Sequence, residues 1–350
     1  MRRPWARAVR HTDRGPSPPG RCWTTPHDRG DRRPSTGAAM HPQSTAPVVA
    51  GVDGSVPAAE AARAAAAEAG RRGAPLHLVR AFSWPATQPA GLPAGVDARA
   101  AARRSAAADL ERLRASLGGR LPGDQVRAEL VDGTAADVLR AASASASLVV
   151  VGAVGLTWGA TSLGTSLGTV AEEVVATSAA PVLVHRRTGG GLPCHGVVAG
   201  VDGEPGTVDV LAAAAREAID RGEPLEVVHA WRQLTDDAVR SLRWRLDPDA
   251  TDRSERAGVE AAVAELRTAH PELEVEAVVV PGRAGQVLVG RSQGASLVVI
   301  GRPTPVPDTL NATVHSVVHR APTAVLVVPV PAVPREARSP LTAAGRSRQG

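Results

Sequence analysis

Short runs of β-branched and aliphatic residues alternate along this chain with longer stretches whose apolar positions recur every three or four residues. The short runs fall at 48–53, 76–81, 126–131, 148–152 and 182–186, then again at 197–202, 225–230, 274–280, 297–301 and 324–329. Between them the spacing predicts helices over 58–72, 97–117, 135–146 and 170–178, then 207–221, 250–269, 285–294 and 311–320. Leu110, Leu113 and Leu117 form one stripe on the second of these, the mark of a helix with a single buried face. The strand runs are apolar throughout rather than alternating, so both faces of each strand should be covered, as in parallel sheets. Strand–helix alternation of this kind implies right-handed crossovers and a doubly wound α/β architecture, with ligands expected beyond the C-terminal strand ends.

The pattern is written twice. Gly51-Val52-Asp53-Gly54 recurs as Gly200-Val201-Asp202-Gly203, and Ser147-Leu148-Val149-Val150 as Ser296-Leu297-Val298-Val299, both at an offset of 149. Gly133 and Gly282 hold the same offset, as do Gly152 and Gly301. The last strands, from Pro181 and Ala324, are offset by 143, so the second copy is six residues shorter between its fourth and fifth strands. A period this long is not a solenoid repeat; it is a duplicated domain. The expected organisation is a basic, disordered extension over 1–45, a first domain over 46–187, a Gly-rich linker over 188–196, a second domain over 197–330 and a disordered tail over 331–350.

Composition changes this picture little. Aromatics are 2% of 350 residues against 43% hydrophobic, so the cores must be Val, Leu, Ile and Ala. The net charge of +5 is misleading: residues 1–39 carry nine Arg and three Asp, leaving the rest at −1. That argues against a specific nucleic-acid partner, although a basic arm attracts polyanions nonspecifically. There is no lysine, which removes every lysine-dependent mechanism. Cys22 and Cys194 lack a CxxC spacing, so neither a metal framework nor a disulfide scaffold is expected. No apolar run approaches the roughly 18 residues of a membrane span, and no apolar stretch follows the basic start as in a secretory leader. A cytoplasmic setting is the expectation, with Met40 a second candidate initiator.

Candidate chemistry lies at the ends of strands one and four. Asp53 can accept from an adenine edge or a ribose hydroxyl, or can serve a plain Asp-Gly turn. After strand four come Gly152 and Gly155, a Gly/Ser/Thr-rich loop, then Gly168-Thr169-Val170 opening a helix. Glycines let the backbone approach a phosphate, and a helix N-terminus offers free N–H groups. Thr169 is placed either to cap that helix or to bond a phosphate oxygen; a solvated loop with an ordinary Thr cap is the competing reading. No Gly-x-x-x-x-Gly-Lys-Ser/Thr motif is present.

Leu148-Val-Val-Val-Gly152-Ala-Val-Gly155, Gly168-Thr169-Val170 and Ala180-Pro181-Val182-Leu183-Val184 together resemble the signature of the universal stress protein family. Val49-Ala-Gly-Val-Asp53-Gly-Ser55 and Asp132-Gly133-Thr134 resemble it too. The likeness covers about 46–186 and, more loosely, 196–329. It implies two tandem doubly wound five-stranded parallel-sheet domains of the Rossmann-like, adenine nucleotide alpha hydrolase-like class. It also implies an ATP site, with Mg2+ as the companion ion, in a stress-response regulatory protein. By that resemblance Asp53 contacts base or ribose, Val79 lines the adenine pocket, and Gly152, Gly155, Gly168, Thr169 and Val170 surround the phosphates. The family spacing places nine residues between the second glycine and the Gly-Ser/Thr pair; here twelve separate Gly155 from Gly168, through a doubled Thr-Ser-Leu-Gly, and Gly164-Thr165 is the alternative pair.

The second copy keeps Asp202 and Gly301 but continues Arg302-Pro303-Thr304-Pro305, with Asn311-Ala312 where the Gly-Thr pair would stand. It is expected not to bind ATP in this mode. In the family the fifth strands pair across dimers, which implies pairing of the two copies here and leaves further homodimerisation open. His315 and His319 are four apart on a helix without a third ligand in the sequence, so no metal is expected. His77 reads as structural or solvated, and Trp158 as a lid or an anchor. No catalytic triad or carboxylate pair is recognisable. A nucleotide-independent interaction module and a slow nucleotide hydrolase are the alternatives.

Overall fold

The computed structural model describes residues 46–85, 97–155, 167–186, 196–231, 248–304 and 310–332. The N-terminal extension, most of the linker and C-terminal tail, Trp158, Gly164-Thr165, Cys22 and Cys194 therefore lie outside the described residues.

The first half places β1 (Val48–Gly51), α1 (Val56–Arg72), β2 (Leu76–Phe82), α2 (Ala98–Ser116), β3 (Val126–Asp132), α3 (Ala135–Ser143), β4 (Leu148–Gly152), α4 (Thr169–Thr177) and β5 (Val182–His185). The second repeats the plan as β6 (Val197–Val201), α5 (Thr207–Arg221), β7 (Leu225–Trp231), α6 (Pro248–Ala269), β8 (Val275–Pro281), α7 (Ala284–Arg291), β9 (Leu297–Thr304), α8 (Ala312–Arg320) and β10 (Ala324–Pro331). Each half is a doubly wound α/β unit with a five-stranded parallel sheet. The two join in one ten-stranded sheet ordered β3-β2-β1-β4-β5-β10-β9-β6-β7-β8.

The junction is antiparallel. Val184 faces Val325, Leu183 faces Leu326 and Val182 faces Val327. Leu183 and Leu326 are equivalent in the repeat at the 143 offset, so an approximate two-fold axis passes through this pair. One face of the sheet is covered by α1, α2, α5 and α6, whose apolar residues form one core with Leu183 and Leu326. The other face is covered by α3, α4, α7 and α8.

Local chemistry explains the elements. Ser55 caps α1 by accepting from the Ala58 amide, proline follows in the first turn, and Gly73 ends the helix at φ 58°. The buried stripe of α1 is alanine at 58, 61, 62, 65, 66 and 69, which brings the helix close to the sheet without aromatic filling. At Gly51 a Cβ would meet Leu139 Cδ1 at 2.7 Å, and at Gly200 it would meet Leu288 at 2.6 Å. The same glycine–leucine fit thus recurs at an offset of 149.

Three strand ends, those of β9, β10 and β1, differ by two residues or more from the sequence expectation. β9 and β10 run on to Thr304 and Pro331, pairing Pro303 with Val330 and Thr304 with Pro331. Prolines read as stops, but β6 pairs β9 only as far as Ile300. Beyond it β9 is an edge, where a missing N–H facing away from the ladder is tolerated. β1 stops at Gly51 rather than 53. The Val52 amide still bonds the Val79 carbonyl at 3.0 Å, and the chain then turns at Gly54 with φ 90°.

Across the axis, α1 and α5 carry an ionic cluster. Glu68 and Glu217 are both 3% exposed. Arg221 donates to Glu68 at 2.7 Å and also to Glu217, while Arg72 donates to Glu217. The four residues are repeat equivalents at an offset of 149, so each half supplies one acid and one base. Burial works against the Arg221 charge, but Glu217 and Glu68 outweigh it and hold its pKa above the ordinary value.

Candidate functional site

In each half the strand order reverses beside the first strand, between β1 and β4 and between β6 and β9. Such switch points open a crevice at the C-terminal strand ends. In the first half the crevice is a cavity of about 670 Å³ lined by Asp53, Val79, Gly152, Gly155, Gly168, Thr169 and Val170 among others. All seven residues singled out from the sequence therefore meet in one place.

Asp53 follows the end of β1, and its Oδ1 accepts from the Ser55 amide at 2.9 Å. Its other oxygen crowds Gly155, where a Cβ would lie 2.8 Å from Asp53 Oδ2. Only glycine fits there without moving the carboxylate. Gly168, not Thr169, is the N-cap of α4, and among the described residues no side chain caps the helix. Thr169 is instead its first residue. The amides of Thr169, Val170 and Ala171 thus have no intrahelical acceptor, and all three residues line the cavity. The Gly168 amide itself is already given to the Ala153 carbonyl at 2.7 Å. Thr169 is exposed, Val170 is 40% exposed, and Val79 is buried in the wall.

Sequence reasoning missed the α2 side of the cavity. Arg80 Nη1 donates to the Ala106 carbonyl at 3.2 Å and lies 3.4 Å from Asp109 Oδ2. Its guanidinium also sits beside Gly54. The available signal was an arginine in a mostly apolar strand, which has to find acceptors on the helix that covers it. Phe82, Ser105 and Leu139 complete the wall. Phe82 stacks on Trp84 at 6.4 Å, and Arg103 lies 5.5 Å above the Phe82 ring. A second cavity of about 670 Å³ shares Phe82 and Ser83 and opens outward past Asp97, Arg99, Asp132 and Thr134. It lies beyond β2 and β3, off the switch point.

The matching crevice of the second half measures about 210 Å³. Three features set it apart from the first. The extended β10 brings Val330 against Gly206, where a Cβ would meet Val330 Cβ at 2.7 Å, and against Gly301. The Asn311 side chain accepts from the Val314 amide at 2.8 Å, so α8 is capped from within at the position where α4 has a glycine. Arg302 stands where the first half has Ala153; it crosses the axis and donates to the Ala176 and Ser178 carbonyls at 2.9 and 2.5 Å.

Outside the crevices, His77 pairs with Glu129 on the neighbouring strand at 3.1 Å, and burial pushes its pKa down. Burial also lowers His185, against the pull of Glu60. Among the described residues no helix is long and apolar enough to cross a membrane.

A duplicated doubly wound α/β chain, with an open switch-point crevice in one half and a closed one in the other, is the class that fold and site define. The model of the universal stress protein family matches residues 45–186 and again 195–329. The chain belongs to that family. A universal stress protein of Mycobacterium tuberculosis is 32% identical over 262 residues, covering 73% of this chain and 86% of the relative. Another from Mycolicibacterium smegmatis is 27% identical over 270 residues, with the same shares. Among solved structures, a universal stress protein from Archaeoglobus fulgidus matches with a TM-score of 0.57 at 17% identity, covering 82% of this chain and 97% of that one. A functionally unknown protein from Pseudomonas aeruginosa matches at 0.53 and 16% identity, over 82% and 94%. At those identities the likeness shows the fold.

Proposed function

We propose that this protein is a nucleotide-responsive regulator of the stress response, binding ATP with Mg2+ in a first domain over 46–187 and none in a second domain over 197–330. The observation that carries the reading is the asymmetry of two repeat-equivalent helix starts. The amides of α4 open on a cavity of about 670 Å³, within the roughly 300–1,000 Å³ of small-molecule sites, and among the described residues no side chain caps them. In α8 the Asn311 side chain takes the Val314 amide, beside a cavity of about 210 Å³, below that range.

The residues present fit the group. Gly155 and Gly152 keep the floor free of Cβ atoms, and the dipole and N–H groups of α4 attract anionic oxygens. Thr169 adds a hydroxyl. Val79 and Leu139 offer apolar contact to a base, and Asp53 accepts from a ribose hydroxyl or a base edge. Arg80 is the cation in the wall, and it is already engaged with Ala106 and Asp109. With no lysine in the chain, a bound Mg2+ would neutralise the phosphates. Occupancy signals only by binding one conformation better than another, and the role proposed is regulation by such occupancy. A nucleotide-independent interaction module is favoured by one contact, the Gly168 amide bonded inward to Ala153.

The test is nucleotide content. Purified protein is denatured, and the released small molecules are separated by ion-exchange chromatography. Adenine nucleotide released from the parent chain, and lost on Asp53→Ala, supports the reading. A parent chain that releases none, and shows no thermal shift in millimolar MgATP, refutes it in favour of the interaction module.

A further inference from the structure

Across the two-fold junction, on the face opposite the ionic cluster, α4 and α8 bring together a set of donors unrelated to the crevice. Glu172 from α4 and His315 and His319 from α8 each offer one ligand atom, and the three atoms lie within 4.8 Å of one another. We propose that these three side chains bind a divalent transition-metal ion of the Zn2+ class, bridging the two halves of the chain.

The histidines are four apart, which puts both imidazoles on one helix face. Their rings stack with centroids 4.2 Å apart. Glu172 Oε2 is 3.6 Å from His319 Nε2, beyond hydrogen-bond range. That nitrogen is shielded from solvent and, among the described residues, has no hydrogen-bond partner, a state that costs free energy unless something satisfies it. Two imidazoles and a carboxylate are a ligand set that Zn2+ accepts, with a fourth position left to water. Zinc bonds of about 2.0–2.1 Å put tetrahedral ligand atoms about 3.3 Å apart, so modest side-chain rotations close the site.

The surroundings carry both signs. His319 lies in the last turn of α8, where the helix dipole favours a cation. Arg186 opposes one, although its guanidinium is turned to the Val318 carbonyl. Burial, His315 and Arg186 outweigh Glu172 and lower the His319 pKa. The repeat explains why the site is hard to see in sequence. At the 143 offset Glu172 is equivalent to His315, and Ala176 to His319. A symmetric pair would have matched like with like, and only the divergence of the two copies sets a carboxylate against imidazoles.

The experiment uses the full, untagged chain, stripped with chelator and titrated with Co2+, whose visible d–d bands report tetrahedral N/O coordination. One ion per chain is expected, displaced by Zn2+. His319→Ala should weaken binding by more than about 100-fold, beyond what loss of an outer-shell partner costs, and Glu172→Gln by about 10–100-fold. His315 is exposed, so His315→Gln loses binding without threatening the fold and decides the matter if His319→Ala unfolds. Absence of the bands in the parent chain, or unchanged Co2+ affinity in His315→Gln, overturns the proposal.

Discussion

Replacing Glu217 by alanine tests what welds the two halves together. Glu217 accepts from Arg72 and Arg221, whose side chains are 12% and 15% exposed. Without it both guanidiniums must share Glu68 with Arg71. Were the cluster a solvated surface pair, the loss would be about 0–1 kcal/mol. Burial decides otherwise: removing one partner of a buried pair leaves an uncompensated charge and costs about 3–5 kcal/mol. At about 2–4 °C per kcal/mol for domains of this size, Tm should fall by on the order of 10 °C. Replacing Glu68, Arg72, Glu217 and Arg221 together by leucine should change stability far less, because the one charge left without its partner, Arg71, is 31% exposed rather than buried. Urea and thermal unfolding followed by far-UV circular dichroism measure both variants. The loss should persist at about 0.5 M salt, where exposed pairs are screened. A Tm change under about 2 °C in Glu217→Ala, or one abolished by salt, would refute the reasoning.

Gly155→Ala should leave the fold intact and weaken MgATP binding, because the added Cβ would lie 2.8 Å from Asp53 Oδ2 and force the carboxylate to move; isothermal titration calorimetry reads this directly. Arg302→Ala removes two charged hydrogen bonds to the end of α4 and should cost about 1.5–3 kcal/mol in urea unfolding, without opening the second crevice to nucleotide. Burial lowers His77, His185 and His319 in the folded chain, so below the ordinary value of about 6.5 the unfolded chain binds more protons. Tm should therefore hold above about pH 7 and fall as pH drops through 6.5 toward 5, and His185→Gln should flatten that slope.

Strands, helices and the duplication were legible because they are local or periodic. Apolar runs, cap residues and one constant offset announce themselves within a window. The shift to 143 located the shortened loop, and it places Leu183 opposite Leu326. What stayed hidden depends on neighbours distant in the chain. The continuation of β9 and β10 to Thr304 and Pro331 stayed hidden because nothing local says that β9 becomes an edge beyond Ile300. Asn311 was read as a missing glycine, whereas its side chain actively serves the amides that Gly168 leaves open. Arg80 was invisible as a wall residue until α2 covered it. Glu172 meets His319 only because the sheet turns about its own axis at β5 and β10.

The central claim, one working crevice out of two, is tested most directly by the stoichiometry of MgATP binding to the nucleotide-free full chain at equilibrium. The account predicts one site per chain, weakened by Asp53→Ala and Gly155→Ala and indifferent to Asp202→Ala. Two sites per chain, none, or a single site abolished by Asp202→Ala would contradict it.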